Sequence, residues 1–115
     1  MKNETTKLLL KLGVPPETSG YLYTREAILI TINTPNSAYR WCDTYEKVAE
    51  KFSTTGKRVE RCIRYAIKKT HDNGTVEYAE MFYKNTTKPP IVSRFLATTA
   101  EYLKAQEDYH LEIQK

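Results

Sequence analysis

The chain contains few of the residues that build long loops, disulfide frameworks or membrane spans. Four glycines and five prolines in 115 residues leave no glycine-rich loop or low-complexity linker. The two cysteines, Cys42 and Cys62, lack the spacing of a disulfide framework or a metal site, so free thiols are expected. The longest apolar run, residues 27–32, is far short of the roughly 20 residues that a membrane span requires. Because the N-terminus also shows no signal segment, we expect a cytoplasmic protein.

The sequence also lacks a recognisable set of catalytic residues. His71 and His110 stand apart, and no cysteine or carboxylate lies at the spacing of a metal site or of a nucleophile–base pair. For Glu26 beside Arg25, an ion pair at a helix surface or within the domain is a better explanation than catalysis. We therefore expect no enzymatic activity, no cofactor and no metal.

Positive charge is present in excess, and the excess occupies one short segment. The formal net charge is +4, from 18 basic and 14 acidic residues. Residues 57–72 contain six basic and two acidic residues, so they account for the net charge and the rest of the chain is neutral. Such a local excess is typical of an element that meets a polyanion.

Hydrophobic periodicity predicts an all-α fold of about six helices. We expect a single domain over residues 1–115, with an ordered core over about residues 5–106. The second helix begins near Tyr21 and ends before Pro35, because the residue preceding proline disfavours the helical conformation. Within it, the β-branched residues of segment 29–32 leave a strand as the alternative.

Capping signals indicate where the other helices begin and end. Gly13 is expected to end the first helix. Asp43 and Glu46 have the spacing of a capping box, which predicts that the third helix begins after Asp43. Ser93 is expected to cap the last helix, and a short helix is expected at residues 75–83. The core candidates of that short helix are Val76, Ala79, Met81, Phe82 and Tyr83.

Two of the predicted helices fit a helix-turn-helix. One apolar stripe covers residues 45–52, a second covers residues 59–67, and a polar turn at Ser53 separates them. Ala49 supplies the small residue that lets the second helix cross the first closely. Ser53 stands where such turns often have glycine, so the match is less specific than it would be with glycine.

The second helix of this unit, from about Thr55 to His71, has a basic outer face. Arginine can bond bidentately to guanine, and glutamate can accept from the amino group of cytosine. Glu60 is informative, because phosphate repels a carboxylate that reads no base. The alternative is a solvated face on which Glu60 pairs with Arg64. The predicted DNA contacts on this helix are Lys57, Arg58, Glu60, Arg61, Arg64, Tyr65 and Lys68.

Three motifs are long enough to carry a family resemblance. They are Gly-Val-Pro at residues 13–15, Gly-Tyr-Leu-Tyr-Thr-Arg-Glu-Ala-Ile at residues 20–28, and residues 48–67 with Arg-Val-Glu-Arg and Ile-Arg. With thinner similarity through Lys88, Pro89 and Phe95, they resemble the C-terminal effector domain of the stage-zero sporulation protein A response regulators. The similarity covers nearly the whole chain.

The resemblance implies about six helices around a central helix-turn-helix. It also implies that this unit binds a short asymmetric box of double-stranded DNA at sporulation-type promoters and regulates their transcription. It implies head-to-tail self-association on tandem boxes, a phosphate contact at Lys88, and contact with the polymerase sigma factor near Lys69–Glu77. Tyr65 departs from the histidine of the family pattern, and residues 34–44 also diverge. The base- and phosphate-facing set that the resemblance implies is Arg58, Glu60, Arg61 and Arg64.

The resemblance leaves the context of the domain open. The phosphorylated receiver of the family is a separate N-terminal domain, and 115 residues do not hold both. The chain is therefore expected to be an excised effector domain or a free-standing relative without a receiver domain. A protein–protein interaction module that keeps the fold but not DNA binding, with nine tyrosines available for a partner, is the main alternative function. RNA binding is a weaker one, because no aromatic platform on strands is predicted.

Overall fold

Helices form the regular structure throughout residues 1–35, 40–82 and 88–113, which the computed structural model describes, with side chains to residue 109. The six helices in these ranges confirm the predicted all-α fold. None of them combines the length and the apolar character that crossing a membrane requires. In chain order they are α1 (Lys2–Leu12), α2 (Ser19–Ile32), α3 (Trp41–Phe52), α4 (Gly56–Asn73), α5 (Val76–Phe82) and α6 (Val92–Ile113).

A short connection joins α1 to α2. Gly13 has a φ of 90°, in the left-handed region that favours glycine, and its N–H donates to the Leu10 carbonyl at 3.1 Å. Thr18 then caps α2: its hydroxyl accepts from the Tyr21 N–H at 3.3 Å and donates to the Pro15 carbonyl at 2.9 Å. The predicted end of the first helix at Gly13 is confirmed.

The second helix continues through the segment for which a strand is the alternative. Thr24 and Thr31 are buried on its inner face, and their hydroxyls donate to the carbonyls of Gly20 and Ala27 at 2.6 and 2.8 Å. These bonds one turn back satisfy polar groups that would otherwise be buried without a partner. The helical interpretation of residues 29–32 is thereby confirmed.

The third helix begins earlier than the capping signal indicates. Its N-cap residue is Arg40, whose backbone is extended (φ −134°, ψ 97°) and whose side chain forms no capping bond. Asp43 therefore lies in the first turn, and the prediction that it is the N-cap was wrong. A carboxylate is favourable anywhere in the first turn of a helix, because it faces the positive end of the helix dipole. The acidic signal consequently locates the start of α3 only to within a turn.

The last two helices also differ from the predictions in detail. Val76, predicted as core, is 70% exposed, and Tyr78 is fully buried in its place. α6 begins at Val92, so Ser93, predicted as its cap, lies within the helix, and the Phe95 N–H bonds to the Ile91 carbonyl at 3.1 Å. The helix continues to Ile113, beyond the expected end of the ordered core. The predicted core position at Tyr83 lies outside the described residues.

The second helix is central and packs against α1, α3, α4 and α6. At Gly20 it comes so close to α4 that a Cβ would overlap the Cys62 carbonyl oxygen and lie 2.8 Å from the Ala66 Cβ. An ion pair of 3.0 Å between Glu26 and Lys51 joins α2 to α3, so Glu26 has a structural role. α2 therefore fixes the positions of the two helices that follow it.

Aromatic contacts anchor the far end of α4. His71 Nδ1 and the Tyr78 hydroxyl share a hydrogen bond of 2.7 Å. The Tyr78 ring stacks on Phe82 with the centroids 5.2 Å apart, and Phe82 stacks on Phe95 at 4.9 Å. This series of rings ties the last turn of α4 to α5 and α6.

Candidate nucleic-acid interface

Helices α3 and α4 form a helix-turn-helix with a turn of three residues. Ser53 ends α3 in the left-handed conformation (φ 55°, ψ 48°), which glycine adopts with less strain. The Thr54 N–H then bonds to the Ala49 carbonyl at 3.0 Å, and the Thr55 hydroxyl caps α4 by accepting from the Arg58 N–H at 3.2 Å. Serine thus takes the backbone geometry for which such turns often use glycine.

The inner face of α4 belongs to the core. Its buried side chains leave at most 2% of their surface exposed. The buried Thr70 hydroxyl donates a hydrogen bond to the Ala66 carbonyl at 2.8 Å. Cys62 of the predicted stripe is only partly buried. The buried set is Val59, Ile63, Ala66, Ile67 and Thr70, with Gly56 at the start of the helix. This face fixes which side chains of α4 point outward.

The outer face gathers the cationic side chains that the sequence predicts to bind DNA. Glu60 lies at the edge of this face, with one third of its side chain exposed, and pairs with Arg64 at 3.1 Å. The ion pair of the alternative interpretation is therefore present. Together the exposed residues make one continuous basic surface, which we call the α4 face: Lys57, Arg58, Arg61, Arg64, Tyr65, Lys68 and Lys69.

One edge of the α4 face borders a cleft of about 460 Å³ between α3 and α4. Glu60, Arg61 and Arg64 line it from one side, and Tyr45 lines it from the other. Burial raises the pKa of Tyr45 to about 12, and the negative charge of Glu60 adds to the effect. A tyrosine keeps its proton at neutral pH even at its ordinary pKa of about 10, and this shift extends the protonated, hydrogen-bond-donating form of Tyr45 to more alkaline pH.

Tyr45 lines the cleft beside the α4 face, a position that the sequence does not predict. Its place in an apolar stripe predicts a core position, and only its hydroxyl indicates that one end needs a polar or wet environment. The structure shows it half-buried, packed against the core and bordering the cleft. Because the interhelical angle decides which end faces the cleft, the sequence pattern alone carries no such signal.

The opposite edge of the α4 face borders the connection between α1 and α2. Tyr65 and Lys69 line an open recess of about 500 Å³ there, together with Leu10, Pro15 and Glu17. Lys69 Nζ lies over the Tyr65 ring, 5.4 Å from its centroid. The α4 face is therefore bounded by a cleft with Glu60 on one side and by this recess on the other.

Lys88 does not belong to α4. It is exposed in the segment that leads into α6, and the residues just before it fall outside the described ranges. Its role as a phosphate contact stays a prediction.

A comparison with known protein families matches most of this chain. The model described as "Sporulation initiation factor Spo0A C terminal" matches residues 5–103. This range contains α3, α4 and the whole α4 face. The match confirms the resemblance that the sequence motifs carry.

Proposed function

Since this chain belongs to the family of C-terminal DNA-binding domains of the sporulation transcription regulator Spo0A, we propose that it binds double-stranded DNA with α4 in the major groove. The observation that carries the proposal is the α4 face, where the net charge of the chain is concentrated on one exposed side of a helix. A helix fits the major groove, and its cationic side chains balance the phosphates on either side.

The first turns of α4 have the chemistry to distinguish bases. In helix-turn-helix proteins the N-terminal residues of the second helix contact base edges. Here these residues are Arg58, Glu60 and Arg61, with Arg64 one turn further on. Arginine donates two bonds to guanine and glutamate accepts from cytosine, so this set favours G·C pairs. Of the other cations of the α4 face, Lys57 and Lys68 serve phosphates.

Two protein contacts belong to the same proposal. Head-to-tail pairing of two copies on tandem boxes would place neighbouring domains along one duplex. The sigma factor would bind at Lys69–Glu77, where α4 ends and α5 begins, and where Asp72 and Glu77 are exposed and Val76 is 70% exposed. Exposed side chains of both charges around an apolar one are typical of a surface that a protein can contact.

A protein-interaction module without DNA binding is the second candidate. It is favoured by two strongly exposed apolar side chains outside α4, Val76 and Ile91, at 70% and 71%. The two functions differ in their dependence on salt, because only the DNA complex releases counterions for each phosphate contacted.

Selection of bound duplexes from a random pool tests the proposed function. We expect one short sequence to be enriched at moderate salt and its affinity to fall steeply as salt rises. Arg61→Ala and Glu60→Ala should each relax the preference at one or two base pairs, at roughly 1–3 kcal/mol. Lys11→Ala, which removes an exposed cation on α1, is the charge-matched control for Arg61→Ala and should leave the preference unchanged.

Two outcomes would contradict the proposal. Absence of enrichment would favour the interaction module. Unchanged base preference in both α4 variants would show that another surface reads the DNA. For Lys88→Ala we expect a loss of affinity that is equal for all sequences, as for a phosphate contact.

A further inference from the structure

Tyr65 and Lys69 of the α4 face form a cation–π contact. Lys69 follows Tyr65 by one helical turn, and its Nζ lies 5.4 Å from the centroid of the tyrosine ring. Tyr65 is 54% exposed and Lys69 is exposed as well, so neither is held there by the core. The ring face attracts a cation through its quadrupole. Tyr65 therefore restricts an ammonium that would otherwise sample many directions.

The surroundings of the pair offer the Lys69 ammonium an alternative partner. Tyr65 and Lys69 line the recess beside the α1–α2 connection, and the acidic residue Glu17 lines the same recess. An ammonium released from the ring would be free to turn towards Glu17. An ammonium held on the ring stays with the exposed residues of the α4 face, where a polyanion would meet it.

The position of the pair along α4 decides which part of DNA it meets. Lys69 lies nine residues beyond Glu60, about 13 Å along the axis and two and a half turns. A straight helix cannot follow a groove that winds around the duplex, so base contacts are confined to its N-terminal turns. The later turns diverge from the bases and approach the sugar-phosphate backbone. A cation at this place is suited to a phosphate.

We propose that Tyr65 is a positioning residue, whose ring holds Lys69 towards a DNA phosphate and which itself reads no base. The inference rests on the proposed binding of DNA by α4. It assigns a DNA contact to Lys69, so the surface proposed for the sigma factor begins beyond Lys69, and it changes the role of Tyr65 from direct to indirect. The ring is required for this role, and the hydroxyl is not.

Affinity and salt dependence on the selected duplex test the proposal. Tyr65→Leu removes the ring and should weaken binding about two- to fivefold, the range expected for one exposed cation–π contact. Lys69→Met should weaken it more and should reduce the slope of log K against log salt by about 0.9, the loss of one phosphate contact. Tyr65→Phe, which keeps the ring, should bind the duplex with the affinity of the parent protein.

The double variant is the sharpest measurement. If Tyr65 acts through Lys69, Tyr65→Leu should have no further effect once Lys69→Met is in place. Lys68→Met is the matched control, because it removes a neighbouring cation of the same helix with no ring contact to Tyr65. Its combination with Tyr65→Leu should be additive.

Several results would overturn the positioning role. They are additive losses in the Tyr65 and Lys69 pair, a loss in Tyr65→Phe as large as in Tyr65→Leu, or an altered base preference in Tyr65→Leu. If the parent protein binds no duplex at all, the proposed function fails together with this inference. If the parent binds and Arg61→Ala relaxes its preference, these results would refute the role of Tyr65 alone.

Discussion

The close approach of α2 to α4 at Gly20 makes a sharp prediction about stability. In Gly20→Ala the new Cβ would overlap the Cys62 carbonyl oxygen and lie 2.8 Å from the Ala66 Cβ. A backbone carbonyl inside a helix cannot move aside, so the two helices must separate by a few tenths of an ångström or more. Overpacking of this kind typically lowers the free energy of unfolding by about 1–3 kcal/mol. Alanine has the higher helix propensity, by up to about 1 kcal/mol, which offsets part of the loss.

We therefore expect Gly20→Ala to lower the free energy of unfolding by about 1–2 kcal/mol. For a domain of this size that is a fall in Tm of roughly 4–8 °C. Urea unfolding followed by far-UV circular dichroism measures it, and the m value should not change, because the same surface is exposed on unfolding.

Gly56→Ala is the control for this prediction. A Cβ at Gly56 would also meet a close neighbour, but that neighbour is the carboxylate end of the Glu46 side chain. A flexible side chain on the surface can rotate away, so the free energy of unfolding should stay within about 0.5 kcal/mol of the parent. If Gly20→Ala were as stable as Gly56→Ala, the contact between α2 and α4 would not constrain the position of α4 as we argue.

Three further changes have expected outcomes. Ser53→Gly should raise the free energy of unfolding by up to about 1 kcal/mol in urea unfolding, because Ser53 has a φ of 55°, whereas a fall would contradict the left-handed turn. Tyr78→Phe should lower it by about 1 kcal/mol through loss of the bond to His71, and Tyr102→Phe, which loses an exposed bond, should have little effect. Burial raises the pKa of Tyr45 to about 12, above its unfolded value of about 10. The raised pKa therefore adds to the free energy of unfolding in full below about pH 10, and this contribution is lost as the pH rises towards 12. The free energy of unfolding should consequently fall less in Tyr45→Phe than in the parent protein between about pH 9 and about pH 11. An identical fall in both proteins would show that Tyr45 is not the titrating group.

The fold follows from the sequence where local signals and periodicity agree. Gly13 and the proline pair after it end α1, and the apolar stripe of α4 predicts its buried face almost completely. The errors occur where several neighbouring residues carry the same local signal. Asp43 favours the start of a helix from any position in its first turn, so it could not identify Arg40 as the cap. Val76 and Tyr78 are two residues apart on a short helix, and the contacts of Tyr78 with His71 and Phe82 show that it is the buried one.

The residues of the α4 face could be predicted from the sequence, and the residues that border it could not. The cationic residues of the α4 face follow from charge and helical spacing alone. The partners that border it do not, because they come from other helices: Tyr45 from α3 on one side, and the α1–α2 connection on the other. Such neighbours depend on the angles at which helices cross, which the packing of small residues such as Gly20 sets.

The ion pair between Glu60 and Arg64 bears on how α4 could choose a sequence. The pair is 3.1 Å long and Arg64 is largely exposed, so it stabilises the free protein by less than about 1 kcal/mol. A bidentate contact with the correct base discriminates by about 1–3 kcal/mol. The correct duplex can therefore break the pair with a net gain, whereas a duplex that offers neither partner leaves it closed and Arg64 unavailable. On this argument Glu60→Gln, which frees Arg64, should strengthen binding to unrelated duplexes relative to the selected one, and an unchanged ratio of the two affinities would show that the pair takes no part in selection.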